Sequence, residues 1–364
     1  MAKGGYIGTG GVARKLKSGY IGVDNLARKV KKGYIGVAGV ARPIWSSGPE
    51  LIKYGSSEDG AVEVLGASGN GAATMVGDYA LFGGADSYVV TAYNSALVKK
   101  NPTRLSERRG SLAATTIGNY ALFGGGSYRT NELNYYNTVD AYSRNLVRST
   151  PTTLRSSRYD LAATAVGNYA LFGGGRDKSL GVSSRVDAYN KSLVRSTPSQ
   201  LSKARQGLAA TSVGNYALFG GGARNGNVVD AYNTNLVRST PTVLSIDRER
   251  CGATQVGGYA LFGGGGSDTL IDAYNENLVH STPVELSLAR GGLSAVTIGN
   301  YALFGGGYGP PESSVVDAYD INLIWTAGPV LVIARRYPAS TTVGNYALFG
   351  GGVDSNVVDV YAIA

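Results

Sequence analysis

Residues 216–221 read YALFGG, and the same six residues occur seven times in this chain of 364 residues. The copies begin 41 to 49 residues apart, at Tyr79, Tyr120, Tyr169, Tyr216, Tyr259, Tyr301 and Tyr346. A short apolar and aromatic run that ends on a glycine pair is typical of a buried strand. The chain therefore contains seven copies of one structural unit, and each copy includes this strand.

The residues around each copy predict three further strands. In the fourth copy, LAATSV at 208–213 precedes a Gly-Asn pair that suits a two-residue hairpin turn. After a variable loop, VVDAYN at 228–233 and LVRSTP at 236–241 supply the third and fourth strands, because β-branched and aromatic residues favour strands. Four strands in a period of about 40 to 50 residues predict an all-β, seven-bladed β-propeller.

The phenylalanines and glycines agree with this fold. All seven Phe residues fall at one position of the repeat, and we expect them to pack between neighbouring blades. The 54 glycines argue against long helices, since Gly inside a helix costs about 1 kcal/mol.

Residues 47–364 resemble the Kelch-type β-propeller family. The shared features are the glycine pair after the second strand, the Tyr of the third strand and an Arg before the first strand. The chain departs from the family at the Trp of the fourth strand. Trp325 keeps this aromatic residue, and the other repeats have Lys99, Arg148, Arg195, Arg238 and His280.

The two ends of the propeller domain predict how its ring closes. The last repeat stops after its third strand, at VVDVYAIA (357–364). Two segments could supply the missing strand: PIWSSGP (43–49), which matches LIWTAGP at 323–329, and ELIKYGSS (50–57). We predict that a strand from within residues 43–57 completes the seventh blade and removes an exposed sheet edge.

A charged pair is predicted inside six repeats. An Arg lies nine residues before each turn glycine, an Asp lies in the third strand, and the first repeat replaces both, with Ser68 and Thr91. We expect bidentate, structural ion pairs that join the first strand to the third. The pairs are Arg109 with Asp140, Arg158 with Asp187, Arg205 with Asp230, Arg248 with Asp272, Arg290 with Asp317, and Arg335 with Asp359.

Residues 1–46 form a different repeat. Three 14-residue units begin GYIG and predict successive β-hairpins. This segment carries nine of the Lys and Arg residues and one acid, so it holds nearly all of the net charge of +9. We predict that it serves attachment to a partner or self-association, with its basic residues docking onto an acidic surface. A solvated face is the alternative interpretation of these residues. The attachment residues are Lys15, Lys17, Lys29, Lys31 and Lys32.

The charge distribution and the apolar runs argue against two classes of partner. Residues 47–364 have a net charge of only +1, so nucleic-acid binding by the propeller has no electrostatic support. No apolar run reaches the roughly 18 residues of a membrane span, which predicts no membrane insertion. The N-terminus lacks the apolar region of a signal peptide, so we predict no secretory signal.

The sequence gives little support for a catalytic function. Cys251 is the single cysteine and His280 the single histidine, and both occupy ordinary repeat positions. We read Cys251 as a small buried hydrophobic residue and His280 as a surface position of the repeat. We therefore predict no catalytic residues, no metal, no cofactor and no enzymatic activity.

The tyrosines give the best indication of a binding site. Seven of the eight Tyr residues outside the repeat positions fall in loops that open on one face of a propeller. Exposed Tyr suits sugar rings and protein partners, and nearby Arg and Lys add donors. The predicted ligand-binding residues are Tyr88, Tyr128, Arg129, Tyr135, Tyr136, Tyr159, Arg176, Lys178, Tyr308 and Tyr337.

The GYIG repeats followed by this propeller resemble prophage-encoded virion and tail-associated proteins of Gram-positive bacteria. The resemblance implies a non-enzymatic virion component that is made in the host cytoplasm. Residues 1–46 would attach it to other virion or tail proteins or to copies of itself, and its propeller would recognise a host surface glycan or protein. One alternative is a purely structural spacer or decoration protein of the virion. The other is a propeller enzyme that degrades polysaccharide.

Overall fold

The structure is a computed structural model. It describes residues 50–63, 65–66, 69–179 and 181–364, and before residue 50 only the backbone of six strands. The chain divides into two compact units, one of Met1–Leu51 with Ile363–Ala364 and the other of Ile52–Ala362.

The first unit contains three two-stranded antiparallel hairpins, one in each 14-residue repeat. In β1–β2 the register pairs Thr9 with Val12, and in β3–β4 it pairs Val23 with Leu26. The predicted turn dipeptides of these two hairpins lie outside the described residues. The strands are β1 (Tyr6–Thr9), β2 (Val12–Lys15), β3 (Tyr20–Val23), β4 (Leu26–Lys29), β5 (Lys32–Val37) and β6 (Val40–Ser46).

The described part of residues 50–364 contains seven four-stranded antiparallel sheets, and we number them in chain order. β7 (Leu51–Ser56) belongs to sheet 7. Sheet 1 contains β8 (Gly71–Val76), β9 (Tyr79–Gly84), β10 (Val90–Asn94) and β11 (Lys99–Lys100). In sheet 2, β12 (Ala113–Ile117) and β13 (Tyr120–Gly124) are followed by a loop hairpin of β14 (Ser127–Arg129) and β15 (Leu133–Tyr135), and then by β16 (Val139–Ser143) and β17 (Arg148–Ser149).

Sheet 3 has a second loop sheet beside it. The small three-stranded sheet consists of β18 (Arg158–Tyr159), β21 (Arg176–Asp177) and β22 (Gly181–Val182). Sheet 3 itself consists of β19 (Ala162–Val166), β20 (Tyr169–Gly173), β23 (Val186–Asn190) and β24 (Arg195–Ser196).

The remaining sheets repeat the same order. Sheet 4 contains β25 (Ala209–Val213), β26 (Tyr216–Gly220), β27 (Val229–Asn233) and β28 (Arg238–Ser239). Sheet 5 contains β29 (Gly252–Val256), β30 (Tyr259–Gly263), β31 (Ile271–Asn275) and β32 (His280–Ser281). Sheet 6 contains β33 (Ser294–Ile298), β34 (Tyr301–Gly305), β35 (Val316–Asp320) and β36 (Trp325–Ala327). Sheet 7 contains β37 (Ala339–Val343), β38 (Tyr346–Gly350), β39 (Val358–Ile363) and β7.

The turn between the first two strands follows from the sequence. Val213 pairs with Tyr216, which leaves Gly214 and Asn215 as a two-residue loop. Gly214 has φ of 50°, in the left-handed region that a residue without Cβ adopts at little cost. The short turn fixes the register of β25 on β26.

The sheets follow one another in a closed cycle. The first strand of each sheet neighbours the first strand of the next, and β37 of sheet 7 neighbours β8 of sheet 1. Phe172 of sheet 3 packs into the cluster formed by Leu122 and Ala141 of sheet 2, as the Phe positions predicted. The result is an all-β, propeller-like fold.

A glycine makes room for each of these phenylalanines. A Cβ on Gly220 would lie 2.7 Å from Cε1 of Phe262 in the next sheet. The same relation joins Gly350 of sheet 7 to Phe82 of sheet 1, at 2.8 Å. The first glycine of the YALFGG motif is therefore required by packing between sheets.

Sheet 7 takes its outer strand from the segment 50–57. The backbone N–H of Ser57 donates to the carbonyl of Val358, at 2.9 Å. Of the two registers that the sequence left open, the structure uses this one. Residues Val40–Ser46 pair with β5 instead, and residues 47–49 lie outside the described part of the chain.

Candidate binding site at the loop end of the sheets

The variable loops gather at one end of the sheets. The segment that enters each first strand hydrogen-bonds to the loop between the second and third strands of the preceding sheet. Leu154 N donates to Asn137 O at 2.8 Å, and Arg158 N donates to Tyr136 O at 3.0 Å. We call this end, where the predicted ligand-binding residues also lie, the loop end.

Three of the predicted tyrosines form one group beside sheets 1 and 2. The guanidinium of Arg108 lies over the ring of Tyr128, 4.2 Å from its centre, which is a cation–π contact. Partial burial, and then the charge of Glu107 and the nearby phenol of Tyr88, raise the pKa of Tyr136 above its usual value. Tyr88 is 43 % exposed, so this group offers accessible aromatic surface.

A second group lies beside sheets 2 and 3. The rings of Tyr135 and Tyr159 meet edge to face, with their centres 5.0 Å apart. Tyr159 pairs with Arg176 in the small sheet, and Arg176 is exposed. Burial and the neighbouring Tyr135 phenol raise the pKa of Tyr159. The structure thus brings three predicted residues into direct contact.

The other predicted residues are more dispersed. Tyr308 and Tyr337 each lie under an arginine that the sequence did not single out. The ring centre of Tyr308 is 5.4 Å from the Arg336 guanidinium carbon. Arg129 and Lys178 are exposed loop residues. The loop end therefore holds two aromatic groups, with separate Arg–Tyr pairs.

A cavity of about 490 Å³ opens at the same end, on the axis of the cycle of sheets. Its rim is formed in each repeat by the residue that lies seven positions before the turn glycine. Residues that directly follow these rim residues contribute to its floor. The rim residues are Asn70, Ser111, Asp160, Gly207, Arg250, Gly292 and Tyr337. Of these residues, only Tyr337 was singled out from the sequence.

Backbone hydrogen bonds link the rim residues. Asp160 N donates to Ser111 O at 3.0 Å, and Gly207 N donates to Asp160 O at 2.9 Å. The same bond repeats from sheet to sheet as far as Tyr337, which donates to Gly292 O at 2.7 Å. From Ser111 onward every rim residue has φ between 51° and 64°. The backbone of the rim is therefore uniform while its side chains differ.

The six predicted Arg–Asp pairs form, but with a different geometry from the one we expected. In sheet 4, Nη2 of Arg205 lies 2.5 Å from Oδ2 of Asp230, and both side chains are fully buried. The pairs are not bidentate, because Nη1 of Arg205 donates to Gly221 O at 3.0 Å. Each Arg lies in the segment before the first strand of its sheet, as predicted, and Arg158 forms part of β18 there. Corresponding contacts join Arg109–Asp140, Arg158–Asp187, Arg248–Asp272, Arg290–Asp317 and Arg335–Asp359.

The second carboxylate oxygen of each Asp binds a residue of the fourth strand, which the sequence did not reveal. His280 Nε2 lies 2.6 Å from Asp272 Oδ1, a structural contact of this partly exposed repeat position that was not predicted from the sequence. Side chains of several types contact the equivalent Asp in the other sheets, by hydrogen bonds or as ion pairs. They are Arg148, Arg195, Arg238, Trp325 and Lys53.

Sheet 1 lacks this ion pair and compensates locally. Thr91 replaces the Asp, and its Oγ1 accepts a hydrogen bond from Gly66 N at 3.0 Å. Lys99 lies 3.7 Å from Glu63. Ser68, the residue at the Arg position, lies outside the described residues.

Fewer contacts are described for the remaining predicted positions. Lys15, Lys29 and Lys32 lie on strands of the hairpin unit, and Lys17 and Lys31 lie outside the described residues. Within the described part of the chain, no group of three or more His, Cys, Asp and Glu side chains could hold a metal ion. The described residues also contain no helix long and apolar enough to cross a membrane.

Comparison with known proteins supports the fold class. A solved structure titled "Structure of YjhT" superimposes with a TM-score of 0.60 at 14 % sequence identity. The match covers 74 % of this chain and all of the other. No family model matches the sequence, and no curated protein matches it. At this identity the likeness concerns the propeller-like fold alone.

Proposed function

We propose that the chain is a seven-bladed, Kelch-like propeller that acts as a non-enzymatic recognition protein. Each four-stranded sheet would be one blade. The loop end would bind a host surface glycan or a surface protein. The observation that carries this proposal is the pairing of aromatic rings with cationic side chains at that end, as in Tyr128 with Arg108.

The chemistry of these groups suits glycan recognition. An aromatic ring packs against the C–H face of a sugar, and its phenol or a nearby guanidinium bonds the hydroxyls. Tyr135, Tyr159 and Arg176 combine both elements within one contact group. Binding residues are commonly carried on loops held by a rigid scaffold, which the repeated sheets provide.

The setting that we propose is a phage-type tail or virion. The basic hairpin unit would attach to other particle proteins or to further copies of the chain. This assignment rests on the resemblance of the GYIG repeats, and on the concentration of charge in residues 1–46.

The test is binding of the full chain to an array of bacterial surface and cell-wall polysaccharides. We expect selective binding that disappears when Tyr128, Tyr135 and Tyr136 are all changed to alanine. Tyr54→Ala is the matched control, because Tyr54 is 51 % exposed and lies in β7. Thermal melting checks that each variant folds.

Three outcomes would count against the proposal. Retained binding in the triple variant would show that the tyrosine groups do not form the binding site. Absence of binding together with stable incorporation into particles would favour a structural virion protein. Depolymerisation of a polysaccharide that one carboxylate or Tyr substitution abolishes would favour an enzyme.

A further inference from the structure

The side chains at the rim of the axial cavity differ from repeat to repeat, and the fold does not require this difference. The strands repeat nearly unchanged, and the rim backbone has one conformation in six successive sheets. Yet the rim side chains include an amide, a hydroxyl, a carboxylate, a guanidinium and a phenol. A position that needs only a left-handed backbone would be served by Gly or Asn throughout.

The two rim glycines leave room for the side chains of Arg250 and Tyr337. A Cβ on Gly292 would lie 2.7 Å from the ring of Tyr337, so this ring lies over the glycine. From there, the Tyr337 hydroxyl accepts a hydrogen bond of 2.7 Å from Arg250 Nη1. On the other side of Arg250, a Cβ on Gly207 would meet only the Arg250 side chain, at 3.6 Å. Asp160, Arg250 and Tyr337 therefore form one polar arc across the two glycines.

The rest of the lining completes an amphipathic cavity. Asn70 Nδ2 donates to Ser111 Oγ at 3.1 Å, opposite the charged arc. Below the rim lie the buried leucines Leu112, Leu161 and Leu208. The rim thus supplies donors and acceptors, and the floor supplies an apolar surface.

The charges of the lining nearly balance. Asp160 and Arg250 have opposite charges, and Arg336 has a partner in Glu312, with Nε 3.5 Å from Oε1. A charged ligand would therefore find no excess of opposite charge in the cavity lining. A neutral ligand with several hydroxyls would use the mixed donors and acceptors fully. The volume of about 490 Å³ lies within the range of small-molecule sites.

We propose that the axial cavity binds one neutral monosaccharide unit, with Asp160 and Arg250 bonding its hydroxyls. This inference deepens the proposed function and rests on it, because the unit would be the end of the glycan that the tyrosine groups hold. The axial site would select the terminal sugar, and the tyrosine groups would add affinity for the polymer.

The test is calorimetric titration of the full chain with methyl glycosides of neutral hexoses and of N-acetylhexosamines. We expect one glycoside to bind, and Asp160→Ala and Arg250→Ala each to weaken it by about tenfold or more, as for loss of a charged hydrogen bond. Arg104→Ala is the matched control, since this exposed arginine lies outside the predicted ligand-binding residues and the cavity lining and should leave affinity unchanged. The triple Tyr variant should bind the free glycoside as the unchanged chain does.

The outcomes separate the two proposals. No binding of any neutral glycoside, with polymer binding intact, would overturn the axial site and leave the proposed function standing. Equal affinity in Asp160→Ala and Arg250→Ala would place the sugar elsewhere. Tighter binding of a uronic acid glycoside than of its neutral analogue would overturn the assignment of a neutral ligand.

Discussion

Nη2 of Arg205 lies 2.5 Å from Oδ2 of Asp230, and neither side chain is exposed to solvent. Oδ1 of the same carboxylate accepts hydrogen bonds from Ser202 N at 2.9 Å and from Arg238 Nη1 at 3.0 Å. One Asp of the third strand thus holds the segment before the first strand and the fourth strand of its sheet. Each of the six sheets with this Asp depends on a single side chain for three attachments.

Asp230→Ala should therefore destabilise the fold without affecting glycan binding. Loss of one partner leaves the Arg205 charge buried and uncompensated, which costs about 3 to 5 kcal/mol. We expect a lower melting temperature and a lower free energy of unfolding, measured in urea. Asp247→Ala, at an exposed position of the following segment, is the control. Melting unchanged from the parent chain would show that the pair has no structural role.

Gly220→Ala tests the packing between sheets 4 and 5. The added methyl group would lie 2.7 Å from Phe262, and overpacking of a tight core costs about 1 to 3 kcal/mol. Urea unfolding should show this loss. Combining the change with Phe262→Leu should recover part of it, because the smaller side chain gives the methyl group space. Strictly additive losses in the double variant would contradict the contact.

Most of the fold could be predicted from the internal repeat, because identical residues that recur at similar spacing occupy equivalent places. The positions of Phe and of the Arg–Asp pairs were readable for the same reason. The fourth-strand donors were not, since Arg238, His280 and Trp325 look unlike one another although each donates a hydrogen bond to a buried Asp. The axial rim was also missed, because its common feature is a backbone angle that Ser111, Arg250 and Tyr337 share without sharing chemistry.

His280 offers a direct test of this equivalence. His280→Ala should cost about 1 to 3 kcal/mol, because the buried Oδ1 of Asp272 loses a hydrogen-bond donor. His280→Arg should keep most of the stability, since Arg238 performs the same task in sheet 4. The measurement is urea unfolding of both variants beside the parent chain. Equal losses in the two variants would show that the imidazole ring itself is needed.

Asp160 should make stability depend on pH. Burial raises the pKa of its carboxyl above the usual 3.8, and Arg250 and a hydrogen bond from Ser111 oppose this only in part. The folded state therefore binds the proton more tightly than the unfolded chain does. This contribution to stability is greatest below pH 3.8 and declines as the pH rises through the folded pKa.

Asp160→Asn removes that dependence. We expect the variant to gain stability over the parent chain as the pH rises from acid to neutral, measured as the difference in free energy of unfolding. Asp247→Asn is the control for a change of charge at the surface. A difference that stays constant across the acid range would show that Asp160 does not titrate as its burial implies.

The Cys251 thiol should not react with disulfide reagents in the folded protein, although the residue lines the floor of the axial cavity. Its side chain is 8 % exposed, and burial raises the pKa of the thiol to about 11, so almost no thiolate exists at neutral pH. The thiolate is the species that attacks disulfide reagents. We therefore expect no reaction with Ellman's reagent until the chain unfolds, and one equivalent of released chromophore in guanidinium chloride. Rapid reaction of the native chain would contradict the burial of the Cys251 thiol.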